Sequence, residues 1–374
     1  MRLVFWQNCL SPHQLPYIVK LLDDERVDSV VVAVGEAVSG DRAKMGWTLG
    51  DYPGLERCEV HVAPYPNTIE HLLDERKDDS VHLFSGIRGF AFVYDAFLRS
   101  LKYNGLRRSI ITERPNTYAF GRANGKPLWM HWLRWKLQDG KYLPFVESIF
   151  AMGEAATQFF RSVNKQWAVF PFGYCTQARI CADGSAMTGY PRISFVGSLS
   201  WRKSVDILLI STMLAIKGGV KSIDLELIGD GSERAKLEEY CKEHNLDCVK
   251  FLGTQKQNDV PKLLSSRDVL VLPSIYDGWG AVVNEGLQQG LYMICSDKCG
   301  AKDLLLDPRC GVVFHGGDTK DLAEKLKYVN DNIDTIRADK QWRKEWAERC
   351  ISGEAIAKYM VDCLLNVEKS EPWK

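Results

Sequence analysis

The sequence predicts an α/β protein made of two doubly wound domains in tandem. Short apolar runs rich in Val and Ile alternate with stretches of helical spacing, the pattern of a parallel sheet with helices on both faces. The alternation runs once over the first 162 residues and again from 193 onward, and 175–191 between them has no period. A chain of 374 residues is ample for two cores of ordinary size.

The first half begins with a short apolar strand over 3–6, a loop over 7–12 and helical spacing over 13–22. Strands follow over 27–34, ended by Gly35, and over 60–63. A helix over 68–76 leads to a strand over 81–84, closed by Ser85 and Gly86. Residues 90–102 form an amphipathic helix. Strands over 109–112 and 148–152, then a helix from Gly153 to near Ser162, come next. The run 169–173, VFPFG, punctuates this half, and the domain boundary is placed there, giving 1–170 and 171–352.

The second half has strands over 193–196, 224–228, 249–252, 269–272, 292–296 and 311–314. Helices are expected over 205–216, 233–243, 260–265, 281–289, 321–329, 342–350 and 353–367. No internal repeat or low-complexity tract is present.

Lys plus Arg equals Asp plus Glu at 48 each, which argues against a general nucleic-acid binder. Eleven cysteines lie without paired spacing, and neither Cys175 with Cys181 nor Cys295 with Cys299 fits a zinc ribbon. They read as reduced thiols of a cytoplasmic protein. The opening MRLVFWQNCLSPHQ is too short in apolar residues for a signal segment. No run approaches the length of a spanning helix.

The most informative stretch is 271–290, VLPSIYDGWGAVVNEGLQQG. An apolar strand stops at Pro273, which cannot continue a ladder. A loop with Asp277, Gly278 and Gly280 leads into a helix, with Gly290 at its C-cap position. A helix N-terminus exposes unpaired N–H groups, and glycines let a ligand approach the backbone, so the turn suits a phosphate. Asp277 and Glu285 are separated by seven residues. Each has an ordinary reading too: Asp277 as a loop acid near an N-cap, Glu285 as a solvated helix residue.

Taken together, this stretch resembles the signature of family 4 retaining glycosyltransferases with the GT-B fold, the glycosyl transferases group 1. The family's usual first acid is Glu; here it is Asp277, one methylene shorter. The resemblance is specific over 190–330 and weak before 170. It implies two Rossmann-like domains facing across a cleft, an N-terminal acceptor-binding domain and a C-terminal nucleotide-sugar domain. It also implies that the last helix, 353–367, packs back onto the N-terminal domain.

The resemblance carries roles onto particular residues. Gly197 ends a strand and leads to Arg202 and Lys203, which match the cations that hold the donor diphosphate. A cation pair at a helix start is unfavourable by the dipole argument, which favours a functional reading. The glycine expected after the Lys is Ser204. Gly229 belongs to a G-x-G turn, and Gly253 and Thr254 to the loop whose backbone reads the nucleobase. Gly278, Trp279, Gly280 and Ala281 would offer backbone N–H groups to the donor. Glu285 matches the acceptor of the ribose hydroxyls, and Asp277 the acid near the donor sugar. Trp279 also suits simple packing.

The N-terminal domain is less legible. Where many relatives have a histidine after a mid-domain strand, this chain has Thr112-Glu113-Arg114-Pro115. Glu113 is the substitute candidate, and His13 is a second one; capping or ion pairing would equally explain an acid there. His82, inside a strand, reads as core. Residues 126–141 carry Lys126, Trp129, Trp132, Arg134, Trp135, Lys136 and Lys141, with the tryptophans at spacing three, near one helical face. That composition suits a peripheral membrane contact, on the inner face of the membrane, or a core-packed helix with a basic outer face.

The expected activity is transfer of a sugar from a nucleotide-diphosphate sugar to a hydroxyl of a glycan or lipid-linked acceptor. UDP-sugar is the family default, with guanine and adenine left open. No cofactor and no metal is expected, since no DxD-like motif accompanies the site and the family works without one. Two alternatives stand beside it: a nucleotide-sugar 2-epimerase of the same fold, and a non-catalytic glycan-binding subunit. The spacing of Asp277 and Glu285 and the Arg202-Lys203 pair favour the transferase.

Overall fold

The computed structural model describes residues 1–38, 52–117, 126–179, 181, 189–367 and 370–374. The chain divides into two compact units, one of residues 1–177 with 352–372 and one of 178–351 with 373–374.

The first unit holds a seven-stranded parallel sheet: β1 (Arg2–Cys9), β2 (Ser29–Glu36), β3 (Glu59–Val62), β4 (Ser80–Ser85), β5 (Arg107–Thr112), β6 (Ser148–Met152) and β7 (Ala168–Phe172). The order across the sheet is β3-β2-β1-β4-β5-β6-β7. Leu3, Val4, Phe5 and Trp6 of β1 are fully buried, as a central strand covered on both faces requires. His82 of β4 is buried as well; its Nδ1 accepts from Trp6 Nε1 at 3.0 Å, so Nε2 carries the proton toward Ser80 Oγ at 3.1 Å.

Two expectations change here. The run VFPFG is part of a strand, β7, paired with β6 through Ile149 and Val169. Pro171 is tolerated because β7 is the sheet edge, where a missing N–H costs no ladder bond. The unit therefore continues past residue 170 to 177, and Cys175 N donates to His13 O at 3.2 Å. The first helix is also shorter than expected: His13 lies in a turn before Leu15–Ile18, which tightens into a 3₁₀ segment, Val19–Asp23.

The helix Gly353–Leu364 belongs to this first unit. Ser352 caps it by accepting from Ala355 N at 3.1 Å. Tyr359 donates to Pro171 O at 3.0 Å, and Asp362 pairs with Arg26 at 2.7 Å.

The second unit holds a six-stranded parallel sheet: β8 (Arg192–Val196), β9 (Asp224–Ile228), β10 (Val249–Gly253), β11 (Val269–Leu272), β12 (Tyr292–Ser296) and β13 (Gly311–Phe314). Its order is β10-β9-β8-β11-β12-β13. The chain moves outward from β8 in one direction, then returns to β11 and moves outward in the other. The junction of β8 and β11 is thus the topological switch point, and ligands of open α/β sheets bind at the carboxyl ends of the strands there.

Candidate functional site

The residues singled out in the second unit gather at that switch point. Gly197 follows β8, Gly229 follows β9 and Gly253 ends β10. Backbone bonds stitch these turns together: Gly197 N donates to Ile228 O at 3.0 Å, and Gly229 N to Gly253 O at 2.9 Å. Gly229 has φ +135°, and a Cβ there would collide with the Gly197 carbonyl. Only glycine fits that crossing. Thr254 beyond it is exposed.

Arg202 and Lys203 form a short 3₁₀ turn, Trp201–Lys203, between β8 and the helix Val205–Lys217. Ile275 N donates to Arg202 O at 3.1 Å, which fixes the turn against the segment leaving β11. Lys203 Nζ lies 2.6 Å from Asp277 Oδ2, and Arg202 NH1 lies 3.4 Å from the same oxygen and 3.0 Å from Tyr276 O. The Lys203 and Asp277 side chains are 13% and 14% exposed, the Arg202 side chain 40%. Burial alone would push the Asp277 carboxyl up; Lys203 and Arg202 outweigh it and hold the group below the usual carboxylate range. Asp277 is therefore ionised at neutral pH.

The loop after β11 is held from below. Asp277 N donates to Lys298 O at 3.3 Å and Ala301 N to Trp279 O at 2.8 Å. Gly280 has φ +99°, and a Cβ there would come within 2.6 Å of Leu272. The Trp279 side chain is buried, and its Nε1 donates to Asn284 Oδ1 at 2.9 Å. Its ring meets that of Trp373 at 6.3 Å and 63°. The indole is thus a packing anchor for the loop.

Glu285 sits in the first turn of the helix Val282–Gln288. Burial pushes its carboxyl up to about 7, although Arg179 and Lys203 pull it back down. Arg179 is a charge that the sequence reading missed. It lies in the aperiodic connector, where no spacing marks it; its carbonyl accepts from Gln289 Nε2 at 2.7 Å and its guanidinium bonds Asn258.

In the first unit, His13 follows β1 and Glu113 follows β5, both at carboxyl ends of strands, with β4 between those strands. His13 stacks loosely on Tyr174, ring centroids 6.3 Å apart. Thr112 Oγ1 donates to the Glu113 carbonyl at 3.2 Å.

Chemically, the second unit offers two cations beside glycine turns, a shared carboxylate, and a second carboxyl titrating near neutrality. Cations and close backbone approach suit a phosphate-bearing ligand.

Residues 182–347 match the family model described as glycosyl transferases group 1. An uncharacterized glycosyltransferase of Methanocaldococcus jannaschii is 28% identical over 166 residues, 42% of this chain and 45% of that one. A GDP-mannose-dependent alpha-mannosyltransferase of Mycobacterium tuberculosis is 32% identical over 130 residues, 35% of this chain and 32% of that one. The chain thus matches less than half the length of these curated relatives. Among solved structures, Anabaena HepE in complex with UDP superposes with a TM-score of 0.66 at 15% identity, covering 98% of this chain and 100% of that one. Sucrose-phosphate synthase from Thermosynechococcus elongatus gives a TM-score of 0.68 at 14% identity, with 98% and 99% covered. The architecture, two Rossmann-like parallel-sheet domains, is that of GT-B glycosyltransferases. Over residues 182–347 the chain is thus similar to the glycosyl transferases group 1.

Proposed function

We propose that the protein is a retaining, metal-independent glycosyltransferase that moves a sugar from a nucleotide-diphosphate sugar to a hydroxyl of a glycan or lipid-linked acceptor. The observation that carries this reading is the Lys203–Asp277–Arg202 cluster at the switch point, with Glu285 in the adjoining helix. Arg202 and Lys203 neutralise the diphosphate, whose negative charge grows as the bond from the sugar C1 to the phosphate oxygen breaks. The acceptor oxygen bonds to C1 on the face the phosphate leaves, and its proton passes to a phosphate oxygen. Glu285 accepts from the ribose hydroxyls. Gly197, Gly229, Gly253 and Thr254 line the nucleotide, and the backbone of Gly278, Trp279, Gly280 and Ala281 borders the sugar. Asp277 orients a sugar hydroxyl. Glu113 and His13 stand for the histidine that many relatives place on the acceptor side. The reading needs no cofactor, and the peripheral membrane contact through 126–141 belongs to its acceptor half.

UDP is the first nucleotide to test, because the HepE structure of the same fold holds it. GDP follows, because one relative is named for GDP-mannose. Thermal shift against UDP, GDP and ADP selects the base, and mass detection of sugar transfer to extracted lipid-linked glycans tests the reaction. Transfer that persists in EDTA supports the reading. A strict need for Mg²⁺ or Mn²⁺, or release of free sugar with no acceptor product, overturns it.

A further inference from the structure

The helix Leu128–Leu137 carries apolar side chains on two sides, and the fold accounts for only one. On the inner side, the Trp135 ring meets Phe160 edge-on at 5.0 Å, and Trp132 Nε1 donates to Ser162 O at 3.1 Å. Trp129 does not join them; it is 62% exposed. Three tryptophans at spacing three therefore do not share a face. At 3.6 residues per turn, the step from 129 to 135 rotates by about 240°. Trp129 instead aligns with Leu133 and Leu137, 38% and 77% exposed, at the four-residue spacing that stacks side chains along one line. A helix on a globular domain ordinarily has one apolar stripe, facing the core. This one has a second stripe facing water.

The charge along this stretch of sequence is one-sided. Residues 114–138 contain five Arg or Lys and no Asp or Glu, in a chain whose charges balance overall. Lys126, Arg134 and Lys136 are exposed. The first acid after them, Asp139, is buried and paired with Arg88. Beside the stripe lies a groove of about 370 Å³, its wall formed by Trp129, Leu128 and Phe159 with Arg114.

We propose that this outward face seats the protein on an anionic bilayer surface. Trp129, Leu133 and Leu137 enter the boundary between headgroups and acyl chains, and Lys126, Arg134 and Lys136 meet the lipid phosphates. Aromatic and leucine side chains on one line with flanking cations are the pattern of a helix lying in a membrane interface. A protein partner is the poorer occupant, because protein interfaces are depleted in Lys where this face is rich in cations. None of the described helices is long and apolar enough to cross a membrane, so the contact is one of lying on the surface. The proposal deepens the acceptor half of the function above, yet its test needs no donor and can fail independently.

The test is flotation of the full chain with phosphatidylcholine vesicles, with and without phosphatidylglycerol. Binding to the anionic vesicles, weak binding to the neutral ones and release by added salt are expected. The variant Trp129→Gln, Leu133→Gln, Leu137→Gln should partition at least about tenfold less while keeping a cooperative unfolding transition, because the inward contacts of Trp132 and Trp135 are untouched. Lys126→Gln with Arg134→Gln and Lys136→Gln should erase the preference for anionic lipid. Equal binding of the stripe variant, or no binding of the parent chain, overturns the proposal. So does a stripe-dependent dimer in sedimentation velocity with no vesicle binding.

Discussion

Lys203 Nζ and Asp277 Oδ2, from segments that follow different strands of one sheet, lie 2.6 Å apart. The contact joins the turn after β8 to the loop after β11, so it closes the switch point from both sides. The same ammonium can serve Asp277 or a phosphate oxygen. A cation shared in this way couples the charge state of Asp277 to anion binding.

Lys203→Ala tests the cation. Loss of a charge-assisted hydrogen bond costs about 1.5 to 3 kcal/mol, so affinity for a nucleoside diphosphate should fall roughly tenfold to a hundredfold. Isothermal titration calorimetry measures it. Unchanged affinity would remove Lys203 from the proposed site.

Asp277→Asn tests the sharing. The variant keeps the shape of the side chain and removes the charge that holds Lys203 and Arg202. Nucleoside diphosphate should then bind as well as before or a few fold more tightly, about 1 kcal/mol at most. Turnover at saturating donor should fall, as expected for a contact made chiefly in the transition state. Parent-like turnover would leave Asp277 with a structural role only.

Gly229→Ala tests the crossing of the glycine turns. The added methyl group meets the Gly197 carbonyl in a backbone conformation that alanine rarely adopts. A loss of about 2 kcal/mol or more in stability is expected, with nucleotide binding weakened along with it. Chemical denaturation reads the first and calorimetry the second. A variant as stable as the parent would mean that the turns can part.

The second domain was the more legible half because its signals are local. Strands over 224–228, 269–272, 292–296 and 311–314 match the structure end to end, each bounded by turn residues or a glycine. The loop carrying Asp277 was readable because an acid, two glycines and a helix start fall within one short stretch. Three features needed the fold. Pro171 looked like an end to the first half until the edge position of β7 supplied its tolerance. The outward direction of Trp129 depends on which helix face meets Phe160, which spacing alone does not decide. Ser204, where a glycine was expected, still adopts the left-handed backbone, φ +48°, so the departure changes the residue and keeps the turn. Helix starts were missed by a residue or two where a cap sets them: Asp318 accepts from Lys320 N and Asp321 N and begins the helix at Thr319.

Glu285→Gln gives a prediction with a sign. In the folded protein the Glu285 carboxyl is raised from 4.5 to about 7 by burial. The folded state therefore holds its proton where the unfolded state has released it. A raised pKa contributes stability that is fully present below the unfolded value and is lost as pH rises through the folded one. For Glu285 the window runs from 4.5 to about 7, and the full difference is about 3 kcal/mol at most, reduced by the partial access of water to the group. His82 works in the opposite direction in part of that range. Burial, with Arg2 and Arg108 nearby, pushes it down from 6.5 to about 3, so its contribution is present above 6.5 and is lost as pH falls. The parent's pH profile mixes both slopes, and the variant removes one. Urea denaturation of parent and Glu285→Gln across this window isolates the difference. The parent should gain relative to the variant as pH falls from 7 toward 4.5. Parallel profiles would mean that Glu285 titrates like an exposed glutamate, and its place against the ribose would then rest on position alone.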